Sequence, residues 1–167
     1  MGIDTILYTD ISLKKLVCEG NTMSIWYQPF TLELCKELEQ GITGQGTLMK
    51  TMGIEITEIG DDYLVATMPA IPEHHNPMGM VHGGANVVLA ETVASYAANF
   101  VVDFTAYYAV GQEINANHIK ASRKGLLTAT AKPLHLGKRT SVWEIKITNA
   151  AGELCCVSRM TAAVVKR

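Results

Sequence analysis

The feature that most constrains this chain is an apolar segment with a single carboxylate near its middle. The segment runs from 83 to 102, and the carboxylate is Glu91. Burial of an unpaired carboxylate costs a large free energy, so Glu91 must be paired, hydrogen-bonded or used in chemistry. The segment opens at Gly83, and a helix that starts there presents free backbone N–H groups. A buried carboxylate and exposed N–H donors are the smallest set of groups that can catalyse attack on an activated carbonyl.

The length of the segment would also suit a membrane-spanning helix, which needs about 20 residues. Polar side chains argue against that alternative, because they interrupt the segment repeatedly and no lipid-anchoring residues flank it. These side chains are Asn86, Glu91, Thr92, Ser95 and Asn99. A helix enclosed by a sheet in a water-soluble protein explains the pattern better, and no membrane association is expected.

Composition and charge exclude other classes of protein. The chain has 167 residues, 48% of them hydrophobic and 18% charged, which suits one globular domain with a core. Its formal net charge of −2 gives no general attraction for nucleic acid. No signal-peptide pattern precedes the four cysteines, which favours a reducing, cytoplasmic location. Cys155 and Cys156 adjoin in a predicted strand and point to opposite faces, so neither a disulfide nor a metal pair is expected there.

The pattern of elements predicts an α+β fold, in which one antiparallel sheet wraps around one long central helix. The predicted elements are a helix over 31–39, a helical turn over 47–50, a strand hairpin over 54–68, a loop over 71–82, the long helix over 83–102, and an antiparallel meander of strands over 107–119, 127–132, 143–147 and 154–165. Residues 1–22 share no periodicity with the rest of the chain. The domains are therefore predicted as an N-terminal appendage of unknown role over 1–22 and one folded domain over 23–167.

Glu91 and its own helix start cannot act on the same carbonyl. Gly83 and Glu91 are eight residues apart, which is about 12 Å along a helix. A glutamate side chain does not bridge that distance. If both groups act on one carbonyl, they come from two copies of the chain, and a two-fold pair of antiparallel helices then creates two equivalent sites. The chemistry therefore predicts a homodimer.

Purely structural interpretations of the polar residues remain as alternatives. Glu91, Ser95 and Asn99 recur every four residues and share one helix face, which would also suit a hydrogen-bonded network at a packing interface. The loop histidines follow no structural zinc pattern, so no metal site is expected. His82 directly precedes the glycine pair and either fixes the loop or contacts a substrate oxygen.

Several runs, taken in order, resemble the hotdog-fold acyl-CoA thioesterases. They are Asn76-Pro77-x-Gly79-x-x-His82-Gly83-Gly84, Ala90-Glu91-Thr92, Ser95, and the later runs over 111–118, 132–137 and 154–159. The later runs are similar to the bacterial subgroup that contains 1,4-dihydroxy-2-naphthoyl-CoA hydrolase of menaquinone synthesis and the proofreading thioesterase of enterobactin synthesis. The resemblance covers about 23–165 and leaves the first 22 residues outside it.

The resemblance implies a catalytic role for each matching residue. Glu91 matches the family's catalytic carboxylate, which acts as a nucleophile or as a general base for water. The N–H of Gly83 in the partner subunit matches the oxyanion donor at the helix start, with His82 beside it. Ser95 matches a hydroxyl that positions the attacking water. Asn76 matches a side chain that orients the carboxylate or the water, at a position where the subgroup carries glutamine.

The resemblance also implies where an acyl-CoA substrate lies. The matching positions are Thr92, Gly111, His118, Ile119, Lys120, Ala121, His135, Leu136, Gly137, Lys138, Arg139 and Thr140. Lys120, Lys138 and Arg139 are candidates for pairing with the CoA phosphates. A thiolate leaves readily, since a thiol pKa is about 8.5, so no dedicated general acid is required. Neither a cofactor nor a metal is expected.

The sequence and the resemblance together predict a cytoplasmic acyl-CoA thioesterase. The resemblance further implies that it acts on aromatic acyl groups such as 1,4-dihydroxy-2-naphthoyl-CoA and assembles as a dimer of dimers. Alternatives are a medium-chain fatty acyl-CoA or acyl-carrier-protein thioesterase, a hotdog enoyl-CoA hydratase or dehydratase, and a non-catalytic acyl-CoA-binding protein. Release of free thiol separates hydrolysis from hydration and from binding alone. The sequence does not decide between an anhydride on Glu91 and general-base attack by water.

Overall fold

The computed structural model describes residues 24–42 and 46–167, and no side chain of residues 38–42. The elements are α1 (Leu32–Ile42), α2 (Leu48–Thr51), β1 (Glu55–Ile59), β2 (Leu64–Pro69), a 3₁₀ turn (Pro72–His74), α3 (Gly83–Phe100), β3 (Tyr107–His118), β4 (Leu126–Leu136), β5 (Thr140–Thr148) and β6 (Leu154–Lys166). The α+β prediction is confirmed, with one antiparallel sheet and one long helix. The prediction for residues 1–22 lies outside the described residues. No helix in the described part of the chain is long and apolar enough to cross a membrane.

The order of strands in the sheet differs from the predicted meander. The six strands lie in the order β1-β2-β4-β5-β6-β3, and every neighbouring pair is antiparallel. The strands β4, β5 and β6 form a meander as predicted, but β3 crosses to the far edge and pairs only with β6. The β3 strand therefore presents twelve residues along an open edge of the sheet.

The asparagine near the end of α3 explains why β3 begins where it does. The Asn99 amide donates to the carbonyls of Ser95 (2.9 Å) and Ala109 (3.0 Å), and its oxygen accepts the Ala109 N–H at 2.9 Å. This side chain replaces the missing strand partner of Ala109 and ties the start of β3 to the helix. Asn99, the third residue of the predicted polar helix face, therefore has a structural role.

The core lies between α3 and the concave face of the sheet. Fully buried helix residues such as Leu89, Val93 and Ala97 face buried strand residues such as Trp143 and Ile145. Buried positions alternate along β4 and β5, as expected for strands with one face on a core. Because the sheet covers one side of α3, the opposite side is left uncovered within a single protomer.

Candidate active site

Glu91 lies on the uncovered side of α3, and its side chain is exposed in the protomer. The expectation of a buried carboxylate is therefore wrong for a single chain. Its Oε1 rests against β3, where a Cβ built on Gly111 would lie 3.1 Å from it. Glycine at 111 thus leaves space for the carboxylate at the edge of the sheet.

The hydroxyl side chains next to Glu91 have different surroundings. Thr92 donates its hydroxyl to the Val88 carbonyl at 2.7 Å, which commits that group to the helix backbone. Ser95 is half-buried, and its Oγ lies 3.8 Å from the Met160 sulfur, which is a weak acceptor. Ser95, one turn beyond Glu91, is therefore the hydroxyl better placed to bind a water molecule.

A groove of about 360 Å³ opens beside the carboxylate, between α3 and the segment that contains α2. Its lining is mostly apolar, and it consists of Thr47, Leu48, Met49, Val88, Glu91, Thr92, Ser95 and Tyr96. The sequence prediction did not include Thr47, Leu48, Met49, Val88 or Tyr96. Leu48 is 59% exposed, and its side chain forms part of the apolar lining of this groove.

The start of α3 carries a free backbone donor. The His82 ring accepts the Gly84 N–H through Nδ1 at 2.8 Å, so the neutral ring carries its proton on Nε2. Among the residues that the structure describes, the Gly83 N–H donates no hydrogen bond to a backbone carbonyl. This N–H lies at the positive end of the helix dipole, where it can bind an anionic oxygen. Through Nδ1, His82 thus caps the start of α3, and its contact with a substrate oxygen stays a prediction.

The loop before α3 is braced by Asn76 and Arg123. The Asn76 Oδ1 accepts the N–H groups of Met78 (3.0 Å) and Met80 (3.3 Å). The Arg123 guanidinium donates to the carbonyls of Met78 (3.0 Å) and Gly79 (3.1 Å). The side-chain oxygen of Asn76 is therefore engaged within the loop, and its role in orienting the carboxylate or the water stays a prediction.

The loop histidines do not gather into a cluster. His74 is buried and donates its Nδ1–H to the Pro69 carbonyl at 2.8 Å, which is a structural contact. Across the described ranges, no three His, Cys, Asp or Glu side chains are placed together to hold a metal ion.

The predicted residues fall into two groups at opposite ends of β3. We name them the acid end (Glu91, Thr92, Ser95, Gly111 and 135–140) and the helix-start end (Asn76, His82, Gly83 and 118–121). Gly111 faces Ala162 of β6 while His118 faces Cys156, so the two ends are about 20 Å apart along the sheet. Ser141, directly after 135–140, also pairs with Ala162, which places that turn at the acid end. One protomer does not bring the two ends together.

The candidate phosphate-binding cations are divided between the two ends. Lys120 pairs with Glu153, and this hydrogen bond lowers the pKa of the Glu153 carboxyl. Lys138 and Arg139 are exposed in the turn between β4 and β5, and no carboxylate of the described residues forms an ion pair with them. These two cations are therefore the more available partners for a phosphate.

The remaining predicted contact residues are at the surface. Next to the turn, the His135 ring covers Gly137, where a Cβ would lie 2.6 Å from its Nε2. Leu136 (42% exposed) and Ile119 (59%) present apolar side chains to solvent, and Ala121 is exposed. Thr140, half-buried, begins β5. These positions are accessible to a ligand.

Gly111→Ala is expected to lower kcat by about 10-fold without unfolding the protein, because its Cβ would contact the Glu91 carboxylate and displace it. Steady-state kinetics and a thermal melt measure both properties. Gly152→Ala is the control for glycine loss away from the site: no atom lies within 4 Å of a Cβ there, but the φ of +76 strains an alanine, so it should lower the melting temperature and leave kcat unchanged. An unchanged kcat in Gly111→Ala would show that the carboxylate does not act from this position.

Comparisons with known proteins identify the family of this chain. The family model described as "Thioesterase superfamily" matches residues 78–156. A putative esterase of Vibrio cholerae is 49% identical over 142 residues, which cover 85% of this chain and 91% of that protein. The 1,4-dihydroxy-2-naphthoyl-CoA hydrolase of Escherichia coli is 42% identical over 141 residues, covering 84% of this chain and 99% of that one. The crystal structure of a mutant thioesterase from Pseudomonas aeruginosa superposes with a TM-score of 0.80 at 39% identity, covering 86% of this chain and all 100% of that one.

Proposed function

Because this chain belongs to the thioesterase superfamily and is an acyl-CoA thioester hydrolase of the hotdog fold, we propose that it acts on aromatic acyl-CoA thioesters. The proposed substrate resembles 1,4-dihydroxy-2-naphthoyl-CoA, the substrate in the name of the Escherichia coli relative. A place in menaquinone synthesis and a cytoplasmic location follow from the same proposal. The observation that carries it is the apolar groove that opens directly beside Glu91.

The active site is proposed to form between two protomers. The helix α3 and the strand β3 run antiparallel, since the His118 ring lies against Gly83, Glu91 lies against Gly111, and Asn99 binds Ala109. The acid end and the helix-start end of one chain therefore cannot meet. A second copy can supply the missing end if it is turned by a two-fold axis.

The open edge of β3 offers a place for that axis. Long unpaired edge strands invite pairing with another chain, and β3 has a neighbour on one side only. Antiparallel pairing of two β3 strands about an axis near their middle brings Gly111 of one chain towards the His118 end of its partner. That arrangement places Glu91 of one protomer next to the free Gly83 N–H of the other, twice per dimer. Assembly of two dimers into a tetramer is proposed from the resemblance.

The proposed reaction uses few groups. The Gly83 N–H of the partner subunit donates to the thioester carbonyl oxygen as negative charge develops there. Glu91 either takes a proton from a water held by Ser95 or attacks the carbonyl itself to form an anhydride that water then opens. The carbon–sulfur bond breaks, the thiolate of CoA leaves and takes up a proton, and the free acid remains. Single-turnover hydrolysis in ¹⁸O-labelled water tests the anhydride route, since label enters Glu91 only when water opens an anhydride at the Glu91 carbonyl.

A panel of thioesters tests the proposed substrate class. Aryl-CoA, fatty acyl-CoA and acyl-carrier-protein thioesters are compared by kcat/KM, with thiol release as the signal. Aryl-CoA is expected to give the highest value. A fatty acyl or carrier-protein substrate that exceeds it would overturn the aromatic assignment. Hydration of an enoyl-CoA, or tight binding without turnover, would overturn hydrolysis itself.

Leu48→Ala is expected to raise KM for an aryl-CoA by roughly 5-fold and to leave kcat nearly unchanged, because it removes apolar contact area from the groove. The side chain is mostly exposed, so the fold should tolerate the change. Acetyl-CoA is the matched control, since its acyl group has little apolar surface to bury against Leu48. Equal effects on both substrates would contradict the assignment of the groove to the acyl group.

A further inference from the structure

The first turn of α3 buries an amide whose hydrogen bonding is incomplete. Asn86 is 6% exposed, and no donor in the described part of the chain reaches its Oδ1. Its Nδ2 lies 3.5 Å from Nδ1 of His118, which reaches across from the end of β3. Burial of a polar atom without a partner destabilises a fold, so such a group calls for a specific explanation. The contact with His118 engages only the Nδ2 end of this amide, so that end is directed at the ring while Oδ1 stays unpaired.

This contact favours one tautomer of the His118 ring. An Asn86 N–H that donates to Nδ1 requires a lone pair on that atom, so the neutral ring is protonated on Nε2. The Nε2 atom lies beside the helix start, 2.7 Å from where a Cβ on Gly83 would be. The absence of a side chain at 83 thus makes room for the ring. Two N–H donors, one from the backbone and one from the imidazole, are adjacent there.

We propose that Asn86 is a positioning residue that holds His118 in its Nε2–H tautomer, and that this N–H is a second oxyanion donor beside the Gly83 N–H. The inference deepens the proposed function and rests on it. His118 touches the thioester carbonyl oxygen, whereas Asn86, being buried, acts only through His118. The donor set for one carbonyl then comes entirely from the helix-start end of one protomer, and the acid comes from its partner.

Two isosteric substitutions of His118 provide the first test. Glutamine places an amide N–H near the position of Nε2, whereas asparagine places it near Nδ1, too short to reach the substrate. The homo-oligomer with His118→Asn should lose about 10²-fold in kcat, with a smaller change in KM, as for removal of one oxyanion donor. His118→Gln should recover most of that loss. Equal losses in both variants would overturn the donor role.

Asn86→Ala tests the positioning role. It should lower kcat by about 10-fold in the wild-type background and have almost no effect in His118→Gln, which needs no tautomer selection. The ¹⁵N chemical shifts of the His118 ring should show the Nε2–H tautomer in the wild type and a mixture of tautomers in Asn86→Ala. An Nδ1–H tautomer in the wild type, or equal losses in both backgrounds, would overturn the proposal. Normal turnover in all these variants, together with an inactive Glu91→Gln, would contradict this inference alone. The proposed function would be unaffected by that result.

Discussion

Glu91→Gln is expected to lower kcat by about 10³-fold while KM changes little. The amide keeps the size and shape of the carboxylate, but it neither takes a proton from water nor attacks a carbonyl. Glu91 is exposed in the protomer and contributes nothing to the core, so the fold should survive the change. Steady-state release of free thiol from an aryl-CoA measures the loss, and circular dichroism with a thermal melt measures the fold.

A matched control removes the same charge elsewhere. Glu55 is exposed on β1, at the edge of the sheet opposite β3, and Glu55→Gln should leave kcat unchanged. A non-hydrolysable thioester analogue should bind Glu91→Gln with nearly wild-type affinity, because the groove and the N–H donors are intact. If Glu91→Gln turned over at a near-normal rate, the reaction would not depend on this carboxylate, and a protein that only binds acyl-CoA would show changes in affinity alone.

The local elements could be predicted from the sequence, because each has a local cause. The apolar run after His82 predicts α3 from its first residue, and alternation along 127–131 and 143–147 predicts β4 and β5. The position of β3 at the sheet edge could not be predicted, since strand order depends on pairing between distant segments. The alternation in β3 gives no sign of which strand lies beside it.

Some candidate site residues could be predicted from the sequence and others could not. Glu91 and Gly83 stand out because a carboxylate and a glycine pair are unusual in an apolar helix. Asn86 does not, because its importance depends on His118, 32 positions further along the chain. The exposure of Glu91 was also mispredicted, since the sequence pattern shows that the residue lies in an apolar segment but not that a single protomer leaves that side of the helix open.

Gly83→Pro removes the proposed oxyanion donor, the backbone N–H of Gly83. Proline is well tolerated at the first position of a helix, and it lacks the N–H that the proposal requires. His82 has φ −63 and ψ 138, an extended conformation that suits a residue before proline. Gly83→Ala adds the same Cβ against His118 but keeps the N–H, so the difference between the two variants isolates the donor. That difference is expected to be about 10²-fold in kcat.

Mixing Glu91→Gln and Gly83→Pro chains is expected to restore activity that neither variant has alone. In a mixed dimer, one site combines both defects, while the other takes Glu91 from the proline variant and the Gly83 N–H from the glutamine variant, and is intact. Co-expressed chains with two different tags, purified on both, should therefore recover about a quarter to a half of the wild-type rate. If each active site were built from a single chain, every site in the mixture would carry one defect, and the rate would stay at the level of the parent variants.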